Sequence, residues 1–271
     1  MCLLLAVVCM GMGCVAWQRT ASARNVVRLV CADDELSRQR AEQIRAAERQ
    51  KEDGIAFVAW REQRDCVVRD AAGSRAIYAD VLTMYGSSEL LFPVGPILHV
   101  EDTDGCLLGA ALAEQIFGNR DALGCIVDCG GRELVVRGVL CEPGMLLVVQ
   151  EEEQNATFDR ITLEREPMRT RSRTAQRFAA AYGLDVDWIC YELFGAEYLQ
   201  ERIPGKWSDF AGWRQSLLKM KEDFECTISV EKSREELLYL RDVGEAFVCC
   251  GVGFFSFAAG VCAKRNRAVG K

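Results

Sequence analysis

His99 is the single histidine of this 271-residue chain, and Glu101, Asp102 and Asp104 follow it closely. An imidazole beside carboxylates has the groups needed for general acid–base chemistry or for holding a metal ion. The immediate sequence argues for something plainer. Asp102-Thr103-Asp104-Gly105 has the composition of a loop that follows a strand. No serine occupies the strained strand-to-helix turn that would recruit His99 into a catalytic triad.

Cysteine is the other reactive type, with fourteen copies. A disulfide framework, a metal site and plain apolar filling are the three readings, and spacing separates them. No Cys-x-x-Cys pair and no Cys/His quartet with zinc-ligand spacing occurs. Cys125 and Cys129 are separated by three residues in a strand-like run, and Cys249 and Cys250 are adjacent. Cys2, Cys9, Cys14, Cys249, Cys250 and Cys262 lie in the two most apolar stretches, where a thiol behaves as a small hydrophobe. Mostly free thiols are expected, with Cys125 and Cys129 the pair to test first. No Gly-rich loop ends in Gly-Lys-Ser or Gly-Lys-Thr, so the chain is not expected to bind ATP. No catalytic, cofactor-binding or metal-binding residue is assigned, and the chain reads as a non-enzyme.

A folded body must position these groups. Half of the residues are apolar and 27% are charged, which supports a core of ordinary size and excludes disorder or fibre as a description of the whole. A net charge of −7 argues against nucleic acid as a partner, since phosphate recognition needs clustered Lys and Arg. Asp33 to about Lys51 predicts a solvent-exposed helix with an Asp cap, its apolar positions being Leu36, Ile44 and Ala47, and Gly54 just beyond it. Ile55–Trp60, Asp65–Arg69 and Arg75–Asp80 predict short strands, the last two joined by a turn at Ala71-Ala72-Gly73-Ser74. Ile97–Val100 looks extended. Leu107–Phe117 predicts a helix ended by Gly118, and Cys125–Asp128 and Glu133–Leu140 predict strands joined at Gly130-Gly131. Glu151-Glu152-Glu153 reads as a solvated loop. Ser172–Tyr182, a helix capped by Ser208 and running to about Glu222, and Ser233–Arg241 complete the predicted helices.

The two ends are different in kind. Residues 1–17 carry no charge, and as a helix they reach about 25 Å against a hydrocarbon core of about 30 Å. The segment reads as an uncleaved anchor, as a signal segment cleaved after Ala21-Ser22-Ala23, or as a lipidation signal at Cys14. Ala246–Ala263 is uncharged and is followed by Lys264, Arg265 and Arg267, which predicts a transmembrane helix with a cytoplasmic tail; a buried core helix is the competing reading. Arg19, Arg24 and Arg28 would then face outward, against the usual charge bias. The expected organisation is an N-terminal anchor or signal segment over 1–23, an extracytoplasmic domain over 24–245, a membrane helix over 246–263 and a basic tail over 264–271. The expected fold class is α+β, a mixed or antiparallel sheet with packed helices, flanked by N- and C-terminal membrane helices.

One stretch resembles a known family. Cys106-Leu107-Leu108-Gly109, Leu112-Ala113-Glu114-Gln115-Ile116-Phe117-Gly118, Leu123-Gly124 and Leu134-Val135-Val136-Arg137-Gly138-Val139-Leu140 are similar, in order and spacing, to the extracytoplasmic core domain of MacB/FtsX-type ABC transporter permeases. Asp102 stands where that family often has an acidic residue before its helix. The resemblance implies a non-catalytic domain outside the membrane, with Phe117 buried against the sheet. It implies an ATP-binding ABC subunit, a second permease chain or both as partners, and it is compatible with a homo- or heterodimer. The family continues into further membrane helices where this sequence stops at Lys271. A membrane-anchored extracytoplasmic binding module without transport activity is the alternative expectation.

Overall fold

The computed structural model describes residues 26–31, 36–141, 144–166, 171–189 and 208–229, together with residues 7, 9, 11–15, 241, 244–245, 248–249 and 251–257 nearer the ends. The chain divides into two compact units, one over Val26–Tyr191 and one combining Met1–Asn25 with Glu192–Lys271.

Within the first unit the order of elements is β1 (Val26–Cys31), β2 (Leu36–Ser37), α1 (Arg38–Arg49), β3 (Phe57–Asp70), β4 (Ala76–Tyr85), β5 (Gly105–Gly109) and α2 (Ala110–Phe117). Then come β6 (Ile126–Cys129), β7 (Arg132–Leu140), β8 (Leu146–Gln150), β9 (Thr157–Phe158), β10 (Arg160–Glu164), α3 (Arg171–Tyr182) and β11 (Val186–Ile189). The fold class is α+β with a mixed sheet: β4 and β8, and β5 and β7, run parallel, and the other pairs are antiparallel. Nine strands lie in the order β11-β1-β10-β3-β4-β8-β5-β7-β6, and β6 pairs back onto β3. That last pairing closes β3, β4, β8, β5, β7 and β6 into a barrel. The first half of β3 has β10 as its neighbour instead, so β10, β1 and β11 leave the barrel as an open wing.

Strand alternation sorts the side chains. Val81 of β4, Leu147 and Val149 of β8, Cys106 and Leu108 of β5, Leu134 and Val136 of β7, Val127 of β6 and Val68 of β3 form one buried cluster inside the barrel. Leu112, Ala113 and Ile116 of α2 join it, and α2 touches β3, β4, β5, β7 and β8, so this helix plugs one end. The intervening residues Val58, Trp60, Leu82, Met84, Leu107 and Val148 point outward and are covered by Leu91, Phe92 and Leu98. On the wing, Val27, Leu29, Phe57, Ile161 and Leu163 pack beneath Ala41 and Ile44 of α1 and Ala175 and Phe178 of α3.

Several local expectations change. α1 begins at Arg38, not near Asp33, because Leu36 and Ser37 are held extended against Phe158 and Thr157; Ser37 Oγ then accepts the Arg40 amide as the cap. The helix is not a solvated rod, since Ala41, Ile44 and Glu48 form a stripe at helical spacing that is buried. The runs expected at Ile55–Trp60 and Asp65–Arg69 merge into a single 14-residue strand that starts at Phe57 and is interrupted by a bulge between Gln63 and Cys66. Leu107 and Leu108 are strand, not the first turn of a helix, because both neighbours β7 and β8 pair with them in the sheet centre. Ile97–Val100 lies in no strand; Leu98 is held by Ser88, whose amide donates to Leu98 O and whose hydroxyl accepts the Leu98 amide. Ile116 takes the fully buried place expected of Phe117, which is half-buried. The Gly118 C-cap, the turn at Gly130-Gly131 with φ of 65° and 85°, and the helix ending at Tyr182 stand where expected.

In the second unit α4 (Phe210–Ser229) is capped by Asp209, whose carboxylate accepts the Gly212 amide, and not by Ser208; it runs past Glu222. Phe210, Leu217 and Leu218 on it are exposed, as are Phe254, Phe255 and Phe257 in the helical residues 251–257. Most of residues 1–23 and half of residues 246–263, where membrane helices are expected, lie outside the described residues, as do Pro204-Gly205 and 233–240. Among the described residues no helix is long and apolar enough to cross a membrane.

Candidate functional site

The acidic loop carrying His99 leads into β5. His99, Glu101 and Asp104 are exposed, while Asp102 is half-buried. The Asp102 carboxylate faces β7, where Arg137 grips it through Nε at 2.8 Å and Nη2 at 3.1 Å. The Asp102 amide donates to His99 O, which makes this stretch a turn. Gly105 leaves room for the pair, because a side chain there would meet the Asp102 carboxylate at 2.6 Å. The arrangement clamps the entrance of β5 onto β7, with the one half-buried carboxylate of the loop committed to a guanidinium. Among the described residues no group of three His, Cys, Asp or Glu side chains converges to hold a metal ion.

The cysteines are redistributed by the fold. Cys125 immediately precedes the short strand β6 and Cys129 ends it, about 13 Å apart along the strand and beyond the reach of a disulfide. Cys129 instead faces β3: it stands opposite Val68, and Cys66 lies two residues from Val68 on the same face. Burial pushes the Cys129 thiol up, with the neighbouring Cys66 and Asp128 adding to it, and burial together with Asp80 and Asp65 does the same for Cys66. Cys106, deeper in the barrel, is pushed up to about 12 by burial and the neighbouring Cys129. All three are free thiols.

Cys66 and Cys129 line a cavity of about 420 Å³ at the barrel end that α2 leaves open. Its inner wall is Val81, Leu134 and Val149, and its rim carries Gln63, Thr83, Arg132 and Glu151. The rim charges are paired. Arg61 meets Glu151 at 3.3 Å, Arg69 meets Asp128 at 3.6 Å, and Arg132 meets Glu152 at 3.4 Å. Arg132 also donates to the carbonyls of Gln150 and Thr103, stapling the start of β7 to the end of β8 and the approach to β5. Glu151, read from sequence as solvated, is buried, and its Oε1 accepts the amides of Glu152 and Glu153. The desolvation is offset because those amides and Arg61 supply the carboxylate's partners. Sequence reasoning missed this cavity. The only local signal is a polar residue ending each inward column, Thr83 after Val81 and Glu151 after Val149, and it has no meaning until the barrel closes.

No protein-family model matches the chain, and no curated protein matches it. Solved structures do. The periplasmic region of MacB from Actinobacillus actinomycetemcomitans superposes with a TM-score of 0.51 at 12% identity, covering 71% of this chain and 99% of that one. The extracellular domain of a noncanonic ABC-type transporter, YknZ, from Gram-positive bacteria gives 0.45 at 17% identity, covering 60% of this chain and 99% of that one. The first likeness establishes the fold as that of a MacB-like periplasmic domain.

Proposed function

We propose that this chain is a membrane-anchored, permease-like component of an ABC transporter, whose extracytoplasmic domain transmits motion or contacts an exported substrate. The observation that carries the reading is the shared fold with the MacB periplasmic region over 71% of the chain. Supporting it, residues 106–140 form a single βαββ unit in the barrel, the stretch whose residues resemble the MacB/FtsX-type domain. The uncharged stretches 1–17 and 246–263 supply the anchors in this reading, with the domain between them outside the cytoplasm and residues 264–271 inside. In this reading an ATP-binding ABC subunit, with or without a second permease chain, supplies the energy.

The test has two arms. In intact cells an impermeant thiol reagent should label Cys141, which is exposed, while a tag after Lys271 stays protected. After mild solubilisation an ATP-binding subunit should co-purify, and ATP should alter the protease sensitivity of the domain. A tag accessible from outside, or a chain recovered alone from the soluble fraction, overturns the proposal. Correct topology with no ATPase partner favours the binding-module alternative.

A further inference from the structure

We infer that the open end of the barrel is a binding pocket for a small, uncharged and mainly apolar molecule, entering beside the β3 bulge and seated against Val81, Leu134 and Val149. The inference stands apart from the transporter reading, since it rests on the barrel interior alone.

The two ends of the barrel are built differently. α2 fills one with Leu112, Ala113 and Ile116, whereas the other keeps a cavity of about 420 Å³, within the size range of small-molecule sites. A barrel of six strands packs its interior with its own side chains, so a cavity at one mouth is a departure that a ligand would fill. Access follows from the topology. β6 pairs only with Val68–Asp70 of β3, and the bulge before Cys66 has no β6 residue opposite it, which leaves a slot next to the Gly130-Gly131 turn.

Charge selects the class of occupant. Each of Arg61, Arg69 and Arg132 at or near the rim already faces a carboxylate, so an ionic ligand would have to displace a partner. The wall is aliphatic apart from the thiols of Cys66 and Cys129, which remain protonated near neutral pH and add polarisable apolar surface. Gln63 and Thr83 place an amide and a hydroxyl at the rim, enough to orient one neutral polar group.

The two wall thiols also provide the assay. The full chain in lipid nanodiscs is treated with N-phenylmaleimide, an uncharged reagent, and modification of each cysteine is followed by peptide mass spectrometry. Binding before reaction predicts a rate at Cys129 that saturates with reagent concentration, at least tenfold greater than with a sulfonated maleimide at equal concentration. At the exposed Cys141 the rate should rise linearly, with no such preference. Filling the cavity with Val149→Trp should abolish saturation at Cys129 and leave Cys141 unchanged. Buried Cys106 reports folding; if it becomes reactive in that variant, the rim change Thr83→Phe takes its place. A linear rate at Cys129 without preference for the uncharged reagent, or saturation that survives filling in a folded variant, overturns the inference.

Discussion

Glu48 sits at the meeting point of α1, the following loop and α3. Its Oε1 accepts hydrogen bonds from Lys51 Nζ at 2.6 Å and from the Tyr182 hydroxyl, and its Oε2 accepts the Ile55 amide at 2.8 Å. Burial pushes the carboxyl up, but the bonds from Lys51, Tyr182 and Ile55 outweigh it and hold it below the ordinary range. A carboxyl depressed in the folded state stabilises the fold fully above its unfolded value of about 4.3 and loses that contribution as pH falls through the folded value. The melting temperature should therefore be flat from pH 7 to about pH 5 and fall below about pH 4. Glu48→Gln should cost about 1–3 kcal/mol at pH 7 and flatten part of the acid limb, read by urea unfolding at both pH values. The three barrel thiols form a second residue-scale case. Cys106, pushed up to about 12, should resist iodoacetamide at pH 8 in the native protein while Cys141 reacts, and denaturant should make both react alike. Rapid native labelling of Cys106 would mean the barrel interior is open.

At the scale of elements, the bulge in β3 is the device that lets one strand serve two neighbours. Asp65 within it has φ of 55°, a left-handed conformation that costs a β-branched residue more than aspartate and suits glycine. Asp65→Ile should lower stability by about 1–2 kcal/mol, whereas Asp65→Gly should be neutral or stabilising, both measured by thermal melting. The start of α1 gives a parallel expectation: Ser37→Ala removes the cap and should cost about 1 kcal/mol. Much of this level was legible in the sequence. Gly118, the Gly130-Gly131 turn and the stripe of Ala175, Phe178 and Tyr182 announce their elements because caps, turns and helical faces are local. Leu107 and Leu108 were misread because an apolar run satisfies helix and strand alike, and flanking β7 and β8 decide the matter. The α1 cap was misread for a similar reason, since Ser37 becomes the cap only when β2 meets β9, more than a hundred residues along.

For the whole molecule, closure of β6 onto β3 matters most, because it separates an enclosed apolar interior from an outer face with its own cover. The wing, the barrel and both sides of β3 lie within Val26–Tyr191, with the wing and barrel clusters complete inside that span. A fragment comprising residues 26–191 should accordingly unfold in one cooperative transition by circular dichroism and keep Cys106 unreactive while folded. Two separate transitions would show that wing and barrel do not share stability through β3. The sequence by itself determined the α+β class, the places of helices α1 to α4 and of strands β3, β4, β6 and β7, and the two uncharged terminal stretches, whereas β1, β8, β10 and β11 carried no signal that separated them from loop. Those properties follow from composition, periodicity and turn chemistry acting over a few residues, and the likeness of residues 106–140 to the MacB/FtsX-type domain rests on resemblance alone. Only the tertiary structure decided that Asp102 clamps Arg137, that Cys129 shares a wall with Cys66 and not with Cys125, and that Glu151 is buried at the mouth of a cavity. Each depends on which strands become neighbours, and that is settled by burying several alternating faces at once, at sequence separations where local pattern carries no information.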